Sequence, residues 1–140
     1  MTPDKEAPVL ANIDVDDLDR ATEFYCKAFK LTVRRRFGRA AVELRGASSA
    51  IYLLEKAAGT RAAPATDQRR DYARHWTPVH LDFVVDEIGS AVARATSAGA
   101  RLEGEVRTHK WGRIAVLSDP FGHGLCLIQF LGRGYDEIAT

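Results

Sequence analysis

His80 and Asp82 stand two residues apart in His-Leu-Asp-Phe-Val-Val, a stretch of alternating character. In an extended strand that spacing puts both side chains on one face. An imidazole beside a carboxylate has three uses: acid–base work in which Asp82 orients the ring or shares its proton, contact with a bound ligand, or a satisfied structural hydrogen bond. The two residues alone leave all three open. Asn12 and Asp14 repeat the same spacing in Leu10-Ala11-Asn12-Ile13-Asp14-Val15. Cys126 lies in the apolar run Leu-Cys-Leu-Ile, where a thiol reads as a small buried hydrophobe, because no basic sequence neighbour would activate it. Trp111, with His109, precedes a strand and offers an aromatic face that either stacks on a planar ligand or caps a hairpin. Arg34-Arg35-Arg36 reads as a solvated strand edge rather than an anion site, since consecutive strand residues face opposite ways. Arg69, Arg70, Tyr72, Arg74, His75 and Trp76 form a basic-aromatic patch that is an interface, a lid or plain surface.

An internal repeat supplies the strands and helices that carry these groups. Phe37–Lys56 aligns with Trp111–Phe130 at a constant offset of 74, pairing Gly38 with Gly112, Val42 with Val116 and Leu53 with Leu127. Upstream, at an offset of 70, Leu10 lies over His80. Two modules result, about 9–57 and 79–131, joined by a linker at 58–78. Each opens with a strand in which Ala11, Ile13 and Val15, or Leu81, Phe83 and Val85, line one face. A helix follows, with Asp16 or Asp86 as N-cap, Leu18, Ala21, Tyr25 and Ala28 inward in the first, and Ile88, Ala91, Val92 and Ala95 inward in the second, before Gly99. Three strands then follow near 31–37, 39–45 and 50–56, and near 101–107, 112–118 and 125–130. A tight turn, Asp119-Pro120-Phe121-Gly122-His123-Gly124, precedes the last of them. In the linker the spacing allows a short helix around 67–75.

Size and composition set outer bounds. The 140 residues are enough for one domain with its own core and no disulfide or structural metal. Twenty basic against 19 acidic side chains give a charge of +1, which provides no electrostatic basis for nucleic-acid or membrane binding. Neither a spanning segment nor a signal-peptide core occurs in the polar N-terminal run, so a cytoplasmic location is expected. Cys26 and Cys126 lack CxxC or zinc-type spacing and read as reduced thiols.

The doubled βαβββ order, Val-Asp-Asp-Leu-Asp-Arg-Ala with Phe24-Tyr25, and Asp-Pro-Phe-Gly before the last strand resemble the vicinal-oxygen-chelate superfamily of glyoxalases, bleomycin-resistance proteins and dioxygenases. The resemblance covers nearly the whole chain. It implies one α+β domain over 1–140, in which two βαβββ modules form a curved mixed sheet around a cleft with helices outside. With the strand alternation, it turns Asn12, Asp14, Tyr52, Leu54, His80, Asp82, Cys126, Ile128 and Phe130 toward the cleft, with Trp111 near its mouth. Family enzymes hold a divalent metal with a first-strand His and a fourth-strand Glu of the modules. The equivalent positions here are Leu10, Tyr52, His80 and Cys126, and only His80 keeps the family ligand.

The expectation that follows is a cleft binding a small, partly apolar or aromatic molecule, with no cofactor. The alternative is a glyoxalase- or dioxygenase-like metalloenzyme, with Glu43 or Glu55 supplying a carboxylate, or with His123 joining His80 and Cys126 on zinc. A third reading is a dimeric interaction module with a closed cleft. A homodimer is expected in any case, because curved open sheets leave strand edges to cover.

Overall fold

In the computed structural model the described residues are 6–140. Met1–Lys5, the polar run read above as free of a signal sequence, lies outside them. The chain runs through β1 (Ala11–Val15), α1 (Leu18–Phe29), β2 (Thr32–Phe37), β3 (Ala41–Arg45) and β4 (Ile51–Glu55). After the linker come β5 (Leu81–Val84), α2 (Ile88–Ala98), β6 (Arg101–Leu102), β7 (Arg107–His109), β8 (Gly112–Ser118) and β9 (Gly124–Phe130). A single 3-10 turn, Gly134–Glu137, follows. The first sheet has the order β1-β4-β3-β2, and the second β5-β9-β8-β6 with β7 also on β8. In each sheet the module's first strand is parallel to its last and the remaining pairs are antiparallel.

Period-two patterning explains which faces are buried. Val15, Val42, Leu44, Ile51 and Leu53 from the first sheet, and Ala115, Leu117, Leu125 and Leu127 from the second, join one core with the inner stripes of both helices. Each leucine fully buried there contributes about 1.5–3 kcal/mol. The helices pack on each other, the Phe29 and Phe83 rings stack with centroids 4.0 Å apart, and the Tyr25 hydroxyl donates to Asp119 Oδ2 at 2.5 Å. These contacts dock module one onto module two.

Four sequence expectations need correction. The N-caps are Asp17, which accepts from Arg20 N–H, and Glu87, which accepts from Ser90 N–H, each one residue later than expected. β1 retains Val15 in its ladder and Val15 O accepts from Lys56 N–H, which delays the first helix. The strand expected over 101–107 is two short pieces, because the chain leaves the β8 ladder after Glu103, whose carboxylate is drawn to Arg74 of the linker. No helix forms at 67–75. The linker instead folds on itself, Gly59 N–H donating to Arg70 O, Arg70 N–H to Thr60 O and Ala62 N–H to Gln68 O.

The fourth correction concerns the repeat. Tyr52 pairs with Glu43, but Cys126 pairs with Val116. The offset is therefore 74 between β4 and β9 yet 73 between β3 and β8, and the ungapped alignment placed Val42 on Val116, which face opposite sides. One residue in a hairpin changes the face of every side chain in a strand.

Candidate functional site

Strand alternation delivers the expected face. Asp82 lies beside Cys126 in the parallel β5–β9 ladder, and Val84 beside Ile128. Cys126 and Ile128 are buried, at 4% and 2% exposure, yet stand outside the helix-side core cluster. They occupy the helix-free face of the second sheet. His80, immediately before β5, brings Nε2 to 3.2 Å from Asp82 Oδ1, and both side chains are about two-fifths exposed. The ligand atoms of His80, Asp82 and Cys126 all lie within 4.8 Å of one another. Sequence reasoning named all three residues but paired Asp82 only with His80, because the register that sets Asp82 beside Cys126 belongs to a pairing more than forty residues apart.

Burial pushes the Cys126 thiol up to about 11, and the neighbouring Asp82 carboxylate adds to the rise by its charge and as a hydrogen-bond acceptor. The free thiol is thus held protonated beside Asp82 rather than poised as a nucleophile. The donor set tests the metal question. Imidazole, carboxylate and thiolate together suit zinc, which takes N, O and S ligands in tetrahedral sites. They do not reproduce the His/Glu set that hard ions favour. Ligand atoms around a tetrahedral zinc sit roughly 3–4 Å apart, so the trio needs only small side-chain adjustments. The expectation of no cofactor therefore has no support in this geometry.

Module one presents a different face. Leu10 is exposed ahead of β1 and can hold nothing ionic. Asn12 is exposed, while Asp14 accepts from Arg70 Nε at 2.8 Å and so anchors the linker. Tyr52 faces Glu43, which is only 1% exposed and is clamped by Arg35 Nε at 2.5 Å and Arg34 Nη1 at 3.4 Å. A bulge between Val33 and Arg35 lets consecutive arginines reach one carboxylate. The hydrogen bond from Arg35 is the main reason that the Glu43 carboxyl is held below its ordinary range. Of the two carboxylates weighed as substitutes, Glu43 shares the face of Tyr52 but is fully engaged. Glu55 lies on the helix side, accepting from Leu18 N–H at 3.0 Å. His123 is no third ligand either, its Nε2 lying 2.7 Å from Asp14 O and its Nδ1 3.1 Å from His75 Nε2.

Among the described residues, no hydrogen bond or ring contact joins Asn12 or Tyr52 to His80, Asp82 or Cys126. Trp111 is likewise remote, because Gly112 pairs with Phe130 and roughly 13 Å of strand separates Phe130 from Cys126. It stacks on His109 and packs with Phe130 and Tyr135, anchoring the C-terminal turn. Trp76, missed as a specific neighbour, stands edge-on to His80 with centroids 5.5 Å apart. A cavity of about 780 Å³ opens at the seam between modules, lined by Ala11, Phe29, Leu81, Asp82, Phe83 and Arg94 among others. Of the polar trio only Asp82 reaches its lining, so His80 and Cys126 do not converge on it.

The glyoxalase-like domain family model matches residues 11–128. No curated protein matches the chain. Among solved structures, the fosfomycin resistance protein FosX from Listeria monocytogenes superposes with a TM-score of 0.71 at 16% identity, covering 96% of this chain and 99% of its own. A hypothetical protein from S. aureus gives 0.70 at 18% identity, covering 90% and 95%. A glyoxalase/bleomycin resistance protein/dioxygenase family enzyme from Burkholderia phytofirmans PsJN gives 0.65 at 19% identity, covering 87% and 97%. The doubled βαβββ order, the two mixed sheets and a family match spanning both modules lead to one conclusion: the chain belongs to the glyoxalase-like domain family of the vicinal-oxygen-chelate superfamily.

Proposed function

We propose that the chain binds a small, partly apolar or aromatic molecule against the helix-free face of the second sheet, with His80 and Asp82 as its polar pole and Ile128 as part of its apolar wall. The observation that carries this reading is the convergence of His80, Asp82 and Cys126 beside buried apolar side chains. Few polar groups set in an apolar surface are the usual form of a small-ligand site. A half-exposed imidazole paired with a carboxylate gives such a ligand a directional donor and acceptor. The likeness in fold to the fosfomycin resistance protein FosX and to a glyoxalase/bleomycin resistance protein/dioxygenase family enzyme supports a small-molecule site in this architecture.

The same trio favours a second reading, a zinc site held by module two alone. His80, Asp82 and Cys126 would hold the ion, and zinc with a fourth position open supplies Lewis-acid polarisation of a bound oxygen. Thermal-shift titration tests both readings. A ligand at a hundred times its Kd raises stability by about 2.7 kcal/mol, and His80→Ala should abolish that shift while keeping the fold. Zinc should stabilise wild type and not Cys126→Ser if the second reading holds. A full ligand response in His80→Ala would overturn the placement of the site.

A further inference from the structure

The linker is a strap fastened at both ends. At one end Arg70 binds the Asp14 carboxylate and the carbonyls of Arg61 and Ala62, and the Tyr72 hydroxyl donates to Lys56 O. At the other, His75 N–H donates to Gly122 O, and Arg74 is paired with Glu103 through both Nε and Nη2. The strap lies close against the 119–124 turn. A Cβ on Gly122 would fall 2.4 Å from Ala73 O, and one on Gly124 would fall 2.6 Å from the Trp76 ring.

Between these anchors stand two imidazoles whose four nitrogens are all engaged. His75 Nδ1 faces Ala73 O at 2.8 Å, and His123 Nε2 faces Asp14 O at 2.7 Å. Carbonyl oxygens only accept, so both outer nitrogens carry hydrogen. The inner pair, His75 Nε2 and His123 Nδ1, lie 3.1 Å apart with ring planes at 87°. Two neutral imidazoles possess two N–H groups, and the carbonyls take both. A hydrogen bond across the inner contact therefore needs a third proton, without which two lone pairs face each other. A fourth proton would set two N–H groups face to face.

We propose that His75 and His123 form a proton-dependent latch, which fastens the 58–78 strap to the 119–124 turn when the pair holds one added proton and loosens when that proton is lost. The charged groups around it are Asp14 with Arg70 from β1 and the strap, Arg74 with Glu103, and Asp119, whose Oδ1 accepts from His123 N–H and Phe121 N–H and whose Oδ2 accepts from Tyr25. Tyr72 packs edge-on to His123, and Asp71 accepts from Ala73 N–H. The acidic partners each have a donor of their own, so the inner contact itself holds the added proton. The latched state binds one proton more than a released pair of neutral rings. Fastening is therefore lost as pH rises, and a second added proton opens it from the acid side. Trp76, next to His75, covers one side of His80, so release would uncover that group; this last consequence rests on the proposed reading of the site.

Amide exchange of residues 58–78, normalised to unstructured peptide rates, tests the latch from about pH 5 to about pH 8.5, the interval around which imidazoles change charge. Wild type should show a protection maximum, falling by up to about tenfold per pH unit on the alkaline side, the limit for one linked proton. His75→Gln and His123→Gln each supply a neutral amide that both donates and accepts, and should flatten the profile. Cooperative thermal unfolding of each variant confirms that it is folded before exchange is read. Protection of the strap that is independent of pH in wild type, or an unchanged profile in both variants, overturns the proposal. A pH-dependent latch with no effect on ligand affinity would instead refute the cleft reading of His80 and leave the latch standing.

Discussion

The state of the Cys126 thiol decides between an inert donor and a reactive group, and its chemistry is measurable without knowing any ligand. A rise from 9.0 to about 11 lowers the thiolate fraction about a hundredfold at any pH below the ordinary range. At about pH 8 roughly one thiol in a thousand is ionised, against about one in ten for the unshifted group. Iodoacetamide labelling followed by mass spectrometry should find Cys126 at least about a hundredfold slower than a peptide thiol, with the rate climbing about tenfold per pH unit up to about pH 10. Half-buried Cys26, whose thiol burial also pushes upward, serves as an internal comparison in the same sample. The linkage has a definite sign. Because the folded thiol holds its proton more tightly than the unfolded one, its stabilising contribution is complete below about pH 9 and is lost as pH rises to about 11. Two units correspond to about 3 kcal/mol as an upper bound. Cys126→Ser, which does not titrate there, should flatten the alkaline arm of the stability curve. Labelling of folded protein at a free-thiol rate near pH 8 would refute the argument, since it would require a thiol that is neither buried nor held by Asp82.

Three further outcomes are expected. Tyr25→Phe removes a donor to the buried Asp119 carboxylate; calorimetry should show a loss of about 1.5–3 kcal/mol, or about 5–10 °C in Tm for a chain of this length, and an unchanged Tm would refute the role of this bond in docking the modules. Gly122→Ala forces a Cβ toward Ala73 O at a φ of +86°, so limited proteolysis should cut the 58–78 strap faster than in wild type. Sedimentation at micromolar concentration should reveal a homodimer, because β1 and β5 are both edge strands flanked by exposed Leu10, Val79 and Val84; a monomer throughout the accessible range would remove the case for pairing.

The chain's own periodicity determined the repeated βαβββ order, the inward stripes Leu18–Ala21–Tyr25–Ala28 and Ile88–Ala91–Ala95, and the division of each first strand into a core face and a face carrying Asn12 or Asp82. Those features are local, because a helix repeats every 3.6 residues and a strand every two whatever lies beyond them. Family membership was legible in the resemblance of Val-Asp-Asp-Leu-Asp-Arg-Ala and Asp-Pro-Phe-Gly to the family's motifs, and the family match over residues 11–128 bears it out. Tertiary structure decided everything that depends on which distant segments meet. Asp82 joins Cys126 through the β5–β9 register, Glu43 is closed off by a bulge in β2, Trp111 packs on the C-terminal turn, and the linker forms a strap rather than a helix. A single-residue difference in the β3–β4 hairpin moved Val42 off the face of Val116 without disturbing the apolar pattern that both strands display. Alternation specifies two faces but carries no record of the register against a partner, and that register is fixed only when the sheets and the shared helical core pack together.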